Sequence, residues 1–205
     1  MNAGKFTEKA QEAISSAQQI AESSNHTQLD VEHLLLALLD QSEGVVPQVM
    51  RKLGVDPAQI RVELNSEIDR LPKAYGPVQL SMSPRLKRVF DAAQKEAGRL
   101  GDEYVSTEHL LLAVVDDQDK GAASRVLKSH DVTKDRIYQV LTSIRGSQRV
   151  TDPNPEGKNQ ALEKYGRDLT DIARQDKLDP VIGRDKEIRR VVQVLSRRTK
   201  NNPVL

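Results

Sequence analysis

Two pairs of adjacent residues, Glu32-His33 and Glu108-His109, carry side chains of the types that most often ligate metals or move protons. Adjacent residues on a helix point about 100° apart, so neither pair can chelate one ion well. The chain has no cysteine to complete a thiolate site or to act as a nucleophile. We therefore predict no catalytic residue and no metal site. Each Glu is expected to favour a helix N-terminus, while each His packs.

Both pairs lie in a segment that the chain contains twice. Residues 31–40 (VEHLLLALLD) return 76 positions later as residues 107–116 (TEHLLLAVVD), with seven of the ten identical. The likeness extends over residues 5–70 and 82–145, with one inserted residue that changes the offset to 77. Open solenoids normally need about three or more repeats, so two copies predict an internal duplication within one domain.

Helix-start signals recur in both copies. Thr7 and Ser83 precede the first helices, and Asp30 and Ser106 precede the repeated segments. Those segments are apolar nearly all round, so they are predicted to be the most buried helices. The remaining helices are expected at residues 45–52 and 122–128, and from about residues 56 and 133 onward. The prediction is an all-α domain over residues 1–146, made of two four-helix repeats related by approximate twofold symmetry.

Three further segments lie outside the repeats. Residues 71–83 contain two prolines and a glycine and are expected to form an exposed connection. Residues 147–159 (SQRVTDPNPEGKN) show no apolar period, which predicts a flexible linker. Residues 160–205 are expected to begin another domain of α/β type. Its expected parts are a short helix around Leu169, a turn at residues 179–183, a helix over 187–198 and the start of a strand at 203–205.

Composition argues against several classes of protein. Aromatic residues make up 3% of the chain, so the core must be mainly aliphatic. No stretch approaches the roughly 18 apolar residues of a membrane helix, and no signal-peptide core is present, so we expect a cytoplasmic protein with no membrane contact. Residues 1–145 hold 18 Lys and Arg against 21 Asp and Glu, a balance of −3 that gives nucleic-acid binding no support.

The residues after the predicted linker carry a long and specific motif. Residues 178–205 read LDPVIGRDKEIRRVVQVLSRRTKNNPVL. This run closely resembles the entry to the first ATPase module of the Clp family of AAA+ protein-unfolding machines. The run KYGRDLT at residues 164–170 is similar to the ClpB disaggregase branch, and residues 1–145 resemble the Clp N-terminal repeat domain. The resemblance covers essentially the whole chain.

An ATPase of this kind needs a G-x-x-x-x-G-K-[ST] loop, whose backbone amides, lysine and hydroxyl hold the phosphates and magnesium. No such run occurs in the 205 residues, and in the family it follows almost immediately after NNPVL. We therefore predict no enzyme activity and no cofactor for this chain, with ATP and magnesium belonging to the longer protein that the resemblance implies. The resemblance places Val181, Ile182 and Gly183 at the adenine side of a nucleotide pocket that only a complete module forms.

The resemblance also implies a set of substrate-binding residues. In the ClpB branch, positions that match Thr7, Asp102 and Glu108 handle substrate protein. In the ClpC branch, positions that match Glu32 and Glu108 dock phosphorylated arginine. Thr7 is also a good N-cap, and that role alone is enough to account for it.

An exposed apolar groove for unfolded chains is a further expectation. Leu110 is one candidate residue for this groove, and Phe6 and Val89 are two others. Aliphatic side chains at helical spacing are usually core residues, so a purely structural interpretation of these three stays open.

The expected function is that of an interaction module, which captures unfolded or aggregated polypeptide and delivers it to an ATP-driven ring. The resemblance implies a homohexameric ring and a DnaK-type chaperone as partners. Two alternatives stay open. One is the N-terminal region of a ClpC-like unfoldase that serves a protease, and the other is an enzyme fragment whose relevant activity is nucleotide hydrolysis.

Overall fold

The computed structural model describes residues 3–42, 44–74, 79–117, 121–145, 149–155, 169–178, 183–199 and 201. The chain forms two compact units, Met1–Ala161 and Leu162–Leu205. The described residues of the first unit include eight α-helices: α1 (Glu8–Ser23), α2 (Val31–Asp40), α3 (Val45–Lys52), α4 (Pro57–Asp69), α5 (Pro84–Leu100), α6 (Thr107–Val115), α7 (Ala122–Ser129) and α8 (Lys134–Arg145). A short 3-10 helix, Ala3–Lys5, precedes α1. The predicted all-α fold with two four-helix repeats is confirmed.

Side-chain caps set where the helices begin. Thr7 Oγ1 accepts the backbone N–H of Ala10 at 3.3 Å, and Ser83 Oγ accepts that of Leu86 at 3.0 Å. A side-chain oxygen in this position satisfies an amide that has no partner within the helix. At the other end of α5, Gly101 adopts a φ of 73°, the left-handed conformation that commonly ends a helix at glycine. The caps predicted at Thr7 and Ser83 are therefore present.

The repeated helices α2 and α6 form the centre of the domain. Every residue of α6 is buried, and every residue of α2 is buried except the last. Helix α1 packs on α2 and α5 packs on α6. Alanines on the buried face of α1 permit the close approach to α2, and they are Ala10, Ala13, Ala17 and Ala21. The prediction that the repeated segments are the most buried helices is confirmed.

Short backbone pairings tie each copy to the other. The strands β1 (Gln28–Leu29) and β2 (Ser81–Met82) pair in parallel. Phe6 and Val105 form the corresponding parallel bridge, at the repeat offset of 76 from Met82 and Leu29. The first helix of each copy is thus anchored on the loop that precedes the repeated helix of the other copy, which gives the domain its approximate twofold symmetry.

Residues 149–155 of the predicted linker are docked on the domain. Val150 is only 4% exposed, and its backbone N–H donates to Asp102 Oδ1 at 2.8 Å. The Val150 carbonyl accepts the N–H of Glu103 at 2.9 Å, and the Pro153 carbonyl accepts that of Glu8 at 2.8 Å. The prediction of a flexible linker over residues 147–159 therefore does not hold for residues 149–155, because their backbone groups satisfy donors and acceptors of the domain.

The second unit contains two described helices, α9 (Leu169–Arg174) and α10 (Asp185–Leu195). The predicted short helix is present, and the longer one begins and ends slightly earlier than expected. The apolar side chains of α10 lie at the surface, with Val192 56% exposed and Leu195 54% exposed. The predicted strand start at 203–205 and most of the predicted turn lie outside the described residues. Across the part of the chain that the structure describes, no helix is long and apolar enough to cross a membrane.

Candidate functional site

His33 and His109 close the first turns of α2 and α6. His33 Nδ1 accepts the backbone N–H of Asp30 at 3.0 Å, and His109 Nδ1 accepts that of Ser106 at 2.9 Å. Each histidine is the third residue of its helix, where Glu or Gln usually makes this bond in a capping box. The histidines pack, as predicted, and they also cap. The available signal for capping was a Ser or Asp three residues before each His.

The second ring nitrogen of each histidine contacts a side chain at the same position of its repeat. Because Nδ1 accepts a hydrogen bond, the proton of each neutral ring is assigned to Nε2. His33 Nε2 lies 2.8 Å from His26 Nδ1, and His109 Nε2 lies 3.0 Å from Asp102 Oδ2. Burial, with a smaller contribution from His26, lowers the pKa of His33 to about 4. Burial also lowers the pKa of His109, although Glu108 and Asp102 act to raise it. These rings are therefore neutral packing groups near pH 7.

Glu32 is buried, with 2% of its side chain exposed, and it is paired with Arg85 of α5. The same guanidinium donates from Nε to Asp30 Oδ1 at 3.1 Å. The other Glu32 oxygen accepts the N–H of Ala123 at 3.2 Å and so caps α7. Gly121 leaves room for this arrangement, since a Cβ there would lie 1.7 Å from Arg85 Nη1. Glu32 therefore joins α2, α5 and α7 inside the domain and is not an exposed docking group.

Glu108 and Asp102 share Arg145, the last residue of α8. Arg145 Nη1 donates to Glu108 Oε1 at 3.2 Å, and Nη2 lies 2.7 Å from each carboxylate oxygen of Asp102. The Asp102 side chain is fully buried, and Glu108 is 5% exposed. Two of the predicted substrate-binding residues are thus brought together, and neither lies free on the surface. Sequence reasoning missed Arg145, which no local pattern distinguishes from other helix-end arginines.

Thr7 is also buried, with 0% of the residue exposed. Besides capping α1, its backbone N–H donates to the Val105 carbonyl at 3.0 Å. The loop between α5 and α6 carries both Val105 and Asp102 and leads directly to Glu108. Thr7, Asp102 and Glu108 therefore lie around one loop, and each is held there by contacts inside the domain.

Leu110 and Phe6 do not form the expected apolar groove, and Val89 only borders a groove at its buried edge. Leu110 is 0% exposed, Val89 is 2% exposed and Phe6 is 3% exposed. The Phe6 ring packs edge-on against Phe90, with ring centroids 5.9 Å apart. These residues are core residues, which is the interpretation that their helical spacing favoured.

A different groove lies open on the first unit, between α5 and α6, with a volume of about 340 Å³. Its apolar part comes from Val89, Ala92 and Ala113, and its charged part comes from Arg88, Asp91, Lys95, Asp116 and Asp117. The α5 residues recur at helical spacing and so share one face. The sequence signal for the groove was this row of α5 residues at helical spacing. It includes Ala92, where a larger apolar side chain would fill the groove.

Of the three residues expected at a nucleotide site, the structure describes one. Val181 and Ile182 lie outside the described residues. Gly183 is described, and its φ of 78° is a left-handed conformation that L side chains rarely adopt. Within the described ranges, no three His, Asp or Glu side chains are grouped so as to hold a metal ion.

Comparison with known proteins places the chain in a family. A family model described as the Clp repeat (R) N-terminal domain matches residues 5–130. The chain is 49% identical over 204 residues to the chaperone protein ClpB of Bdellovibrio bacteriovorus, a match that covers 98% of this chain and 23% of that protein. It is 50% identical over 203 residues to ClpB of Corynebacterium glutamicum, covering 97% of this chain and 23% of the relative. The chain thus spans 23% of the length of these curated relatives.

Solved structures show the same fold. The Hsp104 N-terminal domain of Candida albicans superimposes with a TM-score of 0.63 at 22% identity, covering 73% of this chain and 97% of that one. The N-terminal domain of the ClpV1 ATPase from E. coli gives a TM-score of 0.61 at 20% identity, covering 75% of this chain and 91% of that one. With the family match and the ClpB relatives, the conclusion is that the chain belongs to the family of Clp repeat N-terminal domains and is of the ClpB type.

Proposed function

We propose that this chain binds unfolded or aggregated polypeptide and delivers it to the ATPase ring of a longer, ClpB-type disaggregase. The groove between α5 and α6 carries the proposal. It combines an apolar floor at Val89, Ala92 and Ala113 with rim charges of both signs. A floor of this kind accepts an apolar side chain, and a rim of mixed charge does not select strongly for one sequence. These properties suit a domain that must bind many different unfolded chains.

The two buried carboxylates hold the start of α6, one of the two helices that line this groove. Asp102 and Glu108 hold Arg145, and Asp102 also receives the His109 ring at the start of α6. Thr7 ties α1 to the same loop through Val105. We therefore infer that Thr7, Asp102 and Glu108 affect substrate handling by positioning α6 against α5, since none of the three is exposed.

The ClpC-like alternative, docking of phosphorylated arginine at Glu32 and Glu108, has less support. Each carboxylate already accepts an arginine of this chain, Arg85 or Arg145. A phosphoarginine would have to displace a buried partner from each. Binding of free phosphoarginine that Glu32→Ala and Glu108→Ala each abolish would nevertheless favour this alternative.

The activity of the longer protein is part of the proposal. ATP, magnesium, a homohexameric ring, a DnaK-type partner and a cytoplasmic location come with the ClpB-type resemblance. Helix α10 exposes apolar side chains, among them Ile188, Val192 and Leu195. An exposed apolar face of this kind is typical of a helix that normally packs against further parts of its module. The first unit, by contrast, has a complete core of its own.

Fluorescence anisotropy with a labelled, permanently unfolded model protein tests the proposal. The 205-residue chain is expected to bind this protein and not labelled ATP. Ala92→Glu places a charge on the groove floor and is expected to weaken binding by about tenfold, which corresponds to roughly 1.4 kcal/mol. Ala58→Glu is the matched control, because Ala58 is exposed on α4. Unchanged affinity in Ala92→Glu would exclude the groove, and binding of ATP without polypeptide would support the enzyme-fragment alternative.

A further inference from the structure

Residues 149–155, here called the strap, cross the loop between α5 and α6 and the start of α1. The surface beneath them, here called the cradle, offers backbone N–H groups of Glu103 and Tyr104, both directed to the Val150 carbonyl at 2.9 and 3.3 Å. It also offers the Glu8 N–H, which meets the Pro153 carbonyl, and the Asp102 carboxylate, which accepts the Val150 N–H. The cradle thus recognises mainly the backbone of the segment that lies on it.

The strap buries only one apolar side chain. Val150 is the one buried side chain among its seven residues. Beyond the backbone bonds, Asn154 Nδ2 donates to Glu8 Oε2 at 2.8 Å in an exposed position. Segments with few buried apolar contacts and solvent-exposed hydrogen bonds open far more readily than the core. The described strap therefore buries little apolar side chain against the core that it covers.

In the first copy, a segment at the corresponding position lies on the loop after α1. Lys73, 77 positions before Val150, forms an antiparallel bridge with His26, and Ala74 donates to the Asn25 carbonyl at 2.9 Å. That segment is tied into the domain at both ends, since α4 precedes it and β2 follows it. All eight described helices of the two repeats precede the strap in the chain. The strap can thus leave the cradle of the second copy without displacing any of these helices.

We propose that the strap is a releasable internal ligand of this cradle, and that an extended segment of an unfolded polypeptide takes its place. The incoming segment would present a carbonyl to the Glu103 and Tyr104 amides, an amide to Asp102, and a side chain of valine size where Val150 lies. Recognition through the backbone suits a client of no fixed sequence. This inference rests on the proposed function and adds a second, self-occupied binding surface to the groove.

Release of the strap can be measured with a single thiol, because the chain has no cysteine of its own. In the full chain, Val150→Cys is expected to react with a thiol reagent at least about tenfold more slowly than exposed Thr151→Cys, and far faster than the core control Val49→Cys. Saturating unfolded model protein is expected to speed the reaction of Val150→Cys alone. Reaction of Val150→Cys as slow as that of Val49→Cys, or no response to the model protein, would overturn the inference.

Affinity supplies the second measurement. Val150→Asp undocks the strap and is expected to tighten binding of the unfolded model protein by about tenfold, if the strap occupies the cradle about nine-tenths of the time. Thr151→Asp adds the same charge at an exposed position and is expected to change nothing. Weakened binding in Ala92→Glu with no effect of Val150→Asp would sink the strap inference and leave the groove proposal standing. Unchanged binding in Ala92→Glu with tighter binding in Val150→Asp would support the strap inference and exclude the groove proposal. Circular dichroism confirms that each variant keeps its helices.

Discussion

Arg85→Ala tests whether the buried carboxylate network holds the two copies together. Arg85 comes from the second copy and reaches Glu32 and Asp30 of the first. Removing the guanidinium leaves the Glu32 carboxylate, which is 2% exposed, without its counter-charge. Burial of an unpaired charge costs much more than an exposed ion pair contributes, so the loss should be large.

The magnitude follows from the burial of the pair. Breaking a fully buried ion pair costs about 3–5 kcal/mol. The Arg85 and Asp30 side chains are 18% and 20% exposed, so water partly replaces the lost guanidinium. Glu32 also keeps the hydrogen bond from the Ala123 amide. We therefore expect Arg85→Ala to lower the free energy of unfolding by about 2–3 kcal/mol.

Urea unfolding followed by circular dichroism measures this change. For an m-value of about 2 kcal/mol per molar urea, the midpoint should fall by about 1–1.5 M. Lys87→Ala is the matched control, because Lys87 lies on α5 and is exposed, and it should cost less than about 0.5 kcal/mol. In the double variant with Glu32→Gln, part of the cost should disappear, since no charge remains unpaired at Glu32. Equal costs for Arg85→Ala and Lys87→Ala would refute the reasoning.

Three further predictions use the same unfolding assay. Gly121→Ala is expected to lower the free energy of unfolding by about 2 kcal/mol, because the new Cβ would lie 1.7 Å from Arg85 Nη1. Gly98→Ala, with nothing within 4 Å of its Cβ, should instead raise the free energy of unfolding by about 0.5–1 kcal/mol. His33 has a folded pKa of about 4, below its unfolded value of 6.5, so the unfolded chain binds more protons between these values and stability is lost as the pH falls. Between pH 7 and pH 5 the free energy of unfolding should fall by about 2 kcal/mol. His33→Gln keeps the capping box without titrating, so it should remove most of this fall. An unchanged pH dependence of stability in that variant would contradict the assignment of the effect to His33. Thr7→Ala should lower the free energy of unfolding by about 1 kcal/mol through loss of the α1 cap, whereas Thr7→Ser should stay near wild type. An equal loss of stability in both variants would point to a role for the threonine methyl group.

The helices were predictable because their signals are local. Thr7, Ser83 and Asp30 each stand before an apolar period, and the structure places an N-cap at each of them. The capping role of His33 was missed because Glu and Gln are the residues that normally signal a capping box. The strap was missed because Asp-Pro and Asn-Pro steps indicate exposed chain, and one buried valine among them leaves no periodic pattern.

The partners of the candidate site were not predictable in the same way. Glu32 and Glu108 were expected only to favour helix N-termini, and a docking role was implied by the resemblance alone. Their arginines stand 53 and 37 positions away along the chain, on helices whose packing against α2 and α6 decides which charges meet. Lys9 is the repeat counterpart of Arg85, yet it pairs with Glu12 on its own helix.

The sequence by itself therefore determined the duplication, the eight helices with the N-caps at Thr7, Asp30 and Ser83, and the family resemblance. Each of these depends on residue type and spacing within a few turns of chain. Only the tertiary structure decided that the two carboxylates are buried, that Leu110 belongs to the core, that the groove lies between α5 and α6, and that residues 149–155 cover the cradle. Burial and ion pairing depend on which distant surfaces come together, and that information is spread over the whole chain.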